Sequence, residues 1–285
     1  MDHPEGTYVY VFLTSAFNNG DPLAVLTLLM LFFARMLPII AQAPFFGSRI
    51  LPHPVKVTLA LSLFVIFLPQ LLTVTTQPIG FSPYALILIG KELFVGLLLG
   101  FLISMPFTVV QNAGIIIDHQ RGGASLMVND PTVQNQSSPL GTLFNMVLIF
   151  LFFFIDGPFI FLNAVITSYD ILPPDQFINP HFFDKTSTFW DMLVKLFNKV
   201  MVLSMQLASP ALLAILMTDM FLGIANRLAP QVQITFLGMP LKSLLALTIV
   251  CFGWRLFSEE IVRQCYNWLD AVNAFIAALA PVKGA

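Results

Sequence analysis

The stretch QNAGIIIDHQRGGASLMVNDPTVQNQSSP, from Gln111 to Pro139, joins two very apolar segments of the chain. It begins as the end of a long apolar run, acquires charge at Asp118 and Arg121, and continues as a polar segment that cannot be buried in lipid. Helical spacing places Gly114, Asp118 and Arg121 on one face. An acid and a base three residues apart can neutralise each other, and the flat glycine admits a neighbouring backbone. The Gly122-Gly123 pair then predicts the end of the helix. The polar loop that follows either only connects the two segments or carries function, as loops disproportionately do.

The composition is that of an integral membrane protein. The chain has 285 residues, of which 57% are hydrophobic and only 10% charged, and its mean hydropathy is +0.85. A soluble domain carries about 25% charged residues. The net charge of −2 provides no basic surface, so we expect no nucleic-acid partner. The first residues, MDHPEG, are acidic and polar, so we expect the first membrane segment to act as its own insertion signal.

About six apolar segments approach or exceed the roughly 20 residues needed to cross a bilayer, which predicts an all-α, integral membrane protein. They run over 23–43, 57–74, 84–117, 140–168, 190–228 and 241–257. The fourth is interrupted by Asp156-Gly157-Pro158, either as a break at membrane depth or as a turn between two short helices outside the bilayer. We expect one membrane domain over residues 1–285. Its other parts are an N-terminal segment (1–22), a polar loop (169–190) and an amphipathic C-terminal helix (258–285) for a partner or the membrane surface.

Charged residues occur beside small residues on helices that otherwise suit lipid. The members are Arg35; Glu92, Gly96 and Gly100; Asp118 and Arg121; and Asp219, Gly223 and Arg227. A charge at the centre of a lone membrane helix costs about 2.5–3.5 kcal/mol on insertion scales, and stripes of small residues let helices approach closely. These charges either pair within one bundle or face neighbouring subunits and a channel, and the weak fit of several segments to simple spanning helices favours the second arrangement.

The sequence contains no catalytic or metal-binding constellation that we recognise. The histidines are scattered and form no HExxH pair, GxSxG and Walker motifs are absent, and Cys251 and Cys265 lack histidines at ligand spacing. We therefore expect no enzyme activity, no cofactor and no metal. His119 beside Asp118 could shuttle protons, but adjacent residues on a helix point apart. A stand-alone transporter or channel is the alternative function, although we find no internal repeat of the kind transporters often show.

Four stretches, covering nearly the whole chain in order, resemble the signatures of one protein family. They are FARMLPIIAQAPFFGSRILPHPVKVTLAL (33–61), KELFVGLLLGF (91–101), AGIIIDHQRG with NDP (113–122 and 129–131) and NRLAPQVQITFLGMPLK (226–242). They resemble the SctT/FliR family, which supplies an export-gate subunit of type III secretion systems. The IIDHQRG form is more similar to the injectisome branch than to the flagellar one. Gln233 departs from the family pattern, which more often has asparagine there.

The resemblance implies a structural and gating subunit rather than an enzyme. In this family one all-helical copy, built of long kinked helices and hairpins, assembles with several copies of SctR-like and SctS-like membrane subunits, and an SctU-like switch subunit is an expected further partner. The assembly would form the entry pore for unfolded secreted proteins, at the bacterial inner membrane and in contact with its lipid. The energy for export would come from other components of the secretion system and not from this chain. The six apolar segments would then reflect the hydropathy of the chain, and they would not each correspond to one membrane crossing.

The resemblance also assigns site residues. The segment after the QRG motif would plug the closed pore, with Asp118, Gln120 and Arg121 at its base. The residues assigned to the plug or gate are Asp118, Gln120, Arg121, Gly122, Gly123, Leu126, Met127, Val128, Asp130 and Pro131. The residues expected at contacts with other subunits are Arg35, Glu92, Gly96, Gly100, Asp219, Gly223, Arg227 and Lys242.

Overall fold

The computed structural model describes residues 22–46, 51–76, 79–80, 82–122, 138–177, 188–228 and 234–278, and all regular structure within these ranges is helical. The elements are α1 (Pro22–Gln42), a short 3-10 turn (Pro44–Phe46), α2 (His53–Val74), α3 (Pro83–Gln120), α4 (Pro139–Phe154), α5 (Gly157–Ile171), α6 (Thr188–Leu228), α7 (Ile234–Phe252) and α8 (Trp254–Ala278). The predicted all-α membrane fold is confirmed. Residues 1–21 of the predicted N-terminal segment lie outside the described ranges.

The chain is a multi-pass membrane protein. Within the described ranges, α1, α2, α3 and α6 are long and apolar enough to cross a membrane, and the number rises to six if α4–α5 and α7–α8 each count as one bent span. Many large apolar side chains lie on the outside, among them Ile66, Phe150 and Phe221. Such an exterior suits acyl chains, and helices satisfy their own backbone hydrogen bonds in a solvent that offers none.

Two helix boundaries follow from local sequence, and one prediction is wrong. Asp156 adopts a left-handed backbone conformation (φ +56°) between α4 and α5, so the predicted interruption of the fourth segment is confirmed. At Gly253 the chain bends by 64° between α7 and α8. We expected the sixth apolar segment to begin at residue 241, whereas α7 already begins at Ile234 and contains Pro240. The apolar run that starts at Ile234 continues the helical pattern N-terminal to the proline.

The chain divides into two compact units, which are described separately. The first comprises residues 1–104, 156–193 and 269–285, and the second comprises residues 105–155 and 194–268. The boundaries fall within α3, α6 and α8 and between α4 and α5. One domain over the whole chain stays a prediction.

In the first unit, the buried face of α1 packs against α2 and α5. Phe32 of α1 lies at its centre and is almost fully buried. Its ring centroid is 5.5 Å from that of Phe64 and 5.9 Å from that of Phe67, both on α2, and 6.0 Å from that of Tyr169 on α5. These edge-on and stacked contacts are geometries that aromatic pairs prefer. These contacts turn the side of α1 that also carries Arg35 toward α2 and α5.

In the second unit, aromatic contacts position α4, which follows the polar loop. Phe107 of α3 contacts Phe152 of α4, with ring centroids 5.7 Å apart. Phe144 of α4 contacts Phe257 of α8, with centroids 4.5 Å apart. These contacts therefore pack α4 against both α3 and α8.

Candidate functional site

One carboxylate joins the two points at which the polar loop begins and ends. Asp118 lies in the last turn of α3 and is almost fully buried. Its Oδ2 accepts hydrogen bonds from the Ser138 hydroxyl and from the Leu140 backbone amide, the latter at 2.9 Å. Ser138 in turn caps α4, because its Oγ accepts a hydrogen bond from the Gly141 amide at 2.9 Å. The carboxylate thus sits at the N-terminus of α4, where the helix dipole stabilises negative charge.

Arg121 neutralises Asp118 and extends the site to a third element. Its Nε and Nη2 lie 2.7 Å and 2.6 Å from Asp118 Oδ1, and the two side chains are 8% and 1% exposed. The structure therefore contains the acid–base pair that the spacing predicts. The remaining guanidinium nitrogen, Nη1, donates a hydrogen bond to the Ser243 hydroxyl of α7 at 2.9 Å. Hydrogen bonds that involve an ionised group are about twice as strong as neutral ones.

Two glycines shape the backbone at this site. Gly122 has a φ of +89°, a conformation that favours glycine at the end of a helix, so the predicted helix end at this pair is confirmed. Gly114 lies one turn before Asp118 and contacts Gly141 of α4. A Cβ at Gly114 would lie only 2.5 Å from the Gly141 Cα and 2.7 Å from the Leu140 carbonyl carbon. The predicted close approach of a neighbouring backbone is confirmed.

The remaining residues assigned to the plug are described only in part. Gln120 is exposed at the end of α3, as is His119. Six further residues lie outside the described ranges: Gly123, Leu126, Met127, Val128, Asp130 and Pro131. We call the described group of Asp118, Arg121, Gly122, Ser138 and Leu140 the loop base, and its function as part of a plug stays a prediction.

A second group of charges is buried in the first unit. Arg35 of α1 and Glu92 of α3 form a two-pronged ion pair, with Nε 2.5 Å from Oε2 and Nη2 2.8 Å from Oε1. Lys91 Nζ lies 2.6 Å from Glu92 Oε1. The side chains of Arg35 and Glu92 are 0% exposed and that of Lys91 is 1% exposed. Two cations therefore share one anion inside the protein.

Oxygen atoms at and after the end of α5 satisfy the remaining donors. Arg35 donates to the Ser168 hydroxyl at 3.1 Å and to the Leu172 carbonyl at 2.8 Å, and its guanidinium carbon lies 3.9 Å from the centre of the Tyr169 ring. Three carbonyls accept hydrogen bonds from Lys91 Nζ: those of Pro173, Pro174 and Gln176, at 2.9, 3.3 and 2.9 Å. These dipoles and the aromatic ring compensate the excess positive charge.

The small-residue stripe of α3 packs within the chain. A Cβ at Gly96 would collide with the Arg35 backbone, and one at Gly100 would lie 2.8 Å from Gln42 Nε2 and 3.0 Å from the Pro38 carbonyl oxygen. Of the two arrangements that the sequence left open, pairing inside the chain is the one that the structure shows for Arg35 and Glu92. The close helix approach expected of the stripe is present, but its partner is α1. A contact of these residues with other subunits stays a prediction.

Sequence reasoning missed three participants in this cluster: Lys91, Ser168 and Tyr169. Lys91 is next to Glu92, and adjacent residues on a helix were expected to point apart. The Lys91 side chain nevertheless contacts Glu92 and also reaches the carbonyls after α5. A usable signal was the Pro173-Pro174 pair, because prolines end a helix and leave carbonyls without helical partners.

The third predicted group lies on the surface of α6 in the second unit. Asp219 forms an ion pair with Lys242 of α7, and the two side chains are 39% and 23% exposed in this order. A Cβ at Gly223 would have no atom within 4 Å, and Arg227 is exposed. The structure thus brings Asp219 and Lys242 together and leaves Gly223 and Arg227 at the surface of the chain. Their contact with other subunits stays a prediction.

Comparison with known proteins identifies a group of similar chains. Residues 26–267 match the model of the family described as bacterial export proteins, family 1. The chain is 32% identical to the Yop proteins translocation protein T of Yersinia pestis over 266 residues, which cover 90% of this chain and 96% of the relative. It is 29% identical to the secretion system apparatus protein SsaT of Salmonella typhimurium (88% and 96% covered). It is also 29% identical to the flagellar biosynthetic protein FliR of Bacillus subtilis (79% and 85% covered).

Proposed function

The chain belongs to family 1 of the bacterial export proteins, the SctT/FliR family that its motifs indicate, and from this membership we propose that it forms part of an entry pore for unfolded secreted proteins. Its relatives are named as translocation, secretion-apparatus and flagellar biosynthetic proteins, so a membrane subunit of a type III export apparatus is the function that they support. The family is one of export-apparatus components and not an enzyme family, and a non-catalytic, structural and gating role fits it.

The proposed gate is the loop of residues 123–137, and the observation that carries it is the clamp at the loop base. Asp118 holds Ser138, the cap of α4, and Leu140, its second residue, to the last turn of α3, so the two ends of the loop are fixed next to each other. A loop whose two ends are held together can block a narrow passage as a single unit. Its sequence is rich in Gly, Asn, Gln and Ser, and such a segment requires water or protein around it, because lipid cannot satisfy its backbone.

We propose the bacterial inner membrane as the location, and SctR-like, SctS-like and SctU-like subunits as partners. The surface of α6 supports a protein neighbour. Asp219 is partly exposed on a helix of spanning length, and the open space at Gly223 would admit another helix closely. The IIDHQRG motif is the basis for assigning the injectisome branch.

Deletion of Ser125–Gln136 tests the gate. We expect higher ion conductance through the assembled complex, because the shortened loop keeps its base but loses the segment that would block the passage. The matched control replaces the same residues with a Gly/Ser sequence of equal length, which keeps the chain length but removes the native side chains. Co-purification of the other subunits verifies assembly in each variant. Unchanged conductance in an assembled deletion variant would refute the plug.

A further inference from the structure

The helix α7 covers the loop base with one of its faces. Met239 and Ser243 are four residues apart on α7 and therefore lie on the same face. The Cγ of Met239 is 3.6 Å from the position of a Cβ at Gly122, and the Ser243 hydroxyl accepts the hydrogen bond from Arg121 Nη1 at 2.9 Å. Both contacts are made to the last two described residues before the loop.

The same part of α7 is also tied to α6. Lys242, the neighbour of Ser243, forms the ion pair with Asp219. A path therefore runs from the Asp219–Lys242 pair through the backbone of α7 to Ser243, and from Ser243 through side-chain contacts to Arg121 and Asp118 at the loop base. All of its members belong to the second unit.

Arg121 is the critical link in this path because it has two partners. Its Nε and Nη2 are on Asp118, and its Nη1 is on Ser243. Arginine presents its donors in a rigid planar fork, so the bond at one end orients the other. The hydroxyl of Ser243 thus affects the orientation of the Arg121 guanidinium group toward the Asp118 carboxylate. Asp118 in turn receives the Ser138 hydroxyl and the Leu140 amide.

We propose that Ser243 is a positioning residue for the loop base, through which the placement of α7 sets how tightly the two ends of the loop are held. The coupling is a property of the loop base itself. Only its consequence for conductance rests on the proposed function. A shift of α7 that withdraws Ser243 would free Arg121 and weaken the grip of Asp118 on the start of α4, without any change in the loop sequence.

Hydrogen exchange at the start of α4 tests this directly. The Leu140 and Gly141 amides donate to Asp118 and Ser138, so their exchange reports opening of the clamp. In the purified export complex, Ser243→Ala should accelerate exchange of these two amides by about five- to tenfold, somewhat less than a whole hydrogen bond to a charged group would give. Ser243→Thr keeps the hydroxyl, so both amides should exchange at the parental rate in this variant.

The matched control is Thr248→Val, because within the described part of the chain the Thr248 hydroxyl bonds to the Leu244 carbonyl of α7 itself and not to the loop base. It should leave both amides unchanged. Parental rates in Ser243→Ala would overturn the proposal. Acceleration in Ser243→Thr or Thr248→Val as large as in Ser243→Ala would also overturn it, because a general loosening of α7 would then be the cause. If Ser243→Ala accelerates exchange while the loop deletion leaves conductance unchanged, the coupling of α7 to the loop base is supported and the plug is refuted.

Discussion

Replacement of Glu92 by glutamine should destabilise the chain by about 5 kcal/mol, because it removes the carboxylate that both buried cations of the first unit contact. Loss of one partner from a buried ion pair costs about 3–5 kcal/mol. Glu92 serves two cations, Arg35 Nε at 2.5 Å and Lys91 Nζ at 2.6 Å, and is 0% exposed, so the upper end of this range applies. Glutamine has nearly the same size, so the effect is electrostatic and not a cavity.

Unfolding of the purified chain by SDS in mixed micelles, followed through the fluorescence of its three tryptophans, measures this cost. The control is Glu259→Gln on α8. Glu259 pairs with Arg255 at 2.9 Å, but the two side chains are 60% and 89% exposed. Solvent screens such a pair, and helix pairs of this spacing contribute only about 0.3–0.5 kcal/mol.

A double-mutant cycle then isolates the pair. Arg35→Met and Glu92→Met should each be strongly destabilising, whereas the double variant should cost at least about 1 kcal/mol less than the sum of the two. The reason is that Glu92→Met leaves two buried cations without the carboxylate they share, and Arg35→Met removes one of these two cations. A cost below about 1 kcal/mol for Glu92→Gln, or additive costs in the cycle, would show that the cluster does not hold α1 against α3.

Two further predictions concern glycines. Gly114→Ala should destabilise the second unit by about 1–3 kcal/mol or more and lower the yield of assembled complex, since its Cβ would meet the Gly141 backbone at 2.5 Å. The control is Gly90→Ala on the same helix, where a Cβ has open space. An equal loss of stability in the control would contradict the packing argument. Gly223→Leu should leave the free energy of unfolding of the isolated chain in SDS within about 0.5 kcal/mol of the parent's, because among the described residues no atom outside the adjoining backbone of α6 lies within 4 Å of its Cβ position. The same variant should reduce co-purification of the other export subunits, and full recovery of the complex would argue against a subunit contact at α6.

Local sequence pattern predicts the features that depend on residues close together in the chain. The Asp118–Arg121 pair follows from a spacing of three residues on a helix, and the end of α3 follows from the glycine at position 122. The interruption at Asp156 likewise precedes a Gly-Pro pair that marks a break. In each case the partners or the conformation are set within one or two helical turns.

The remaining parts of both sites depend on contacts that are distant in sequence. Ser138 is 20 residues from Asp118, and Ser243 is 122 residues from Arg121. The cost of a charge in a membrane helix predicts that Arg35 needs a partner, but nothing local indicates that the partner is Glu92, 57 residues away. Helix packing makes that choice. For the same reason the sequence could not tell whether the stripe of Gly96 and Gly100 faces α1 or another subunit.

The two charged sites differ in how readily they can change, and this difference bears on where the proposed gate would operate. Arg35 and Lys91 are fully enclosed, and their donors reach a carboxylate, a hydroxyl and four carbonyls. Opening that cluster would strand buried charges without water to replace the lost partners, at a cost of several kcal/mol per ion. Arg121 is 8% exposed, and its outer contact is a single hydroxyl. Loss of a hydrogen bond to a charged group costs at most about 1.5–3 kcal/mol, which is less than the cost of stranding the buried ions. Under the proposed coupling, a movement of α7 would therefore change the loop base while the first unit keeps its internal bonds.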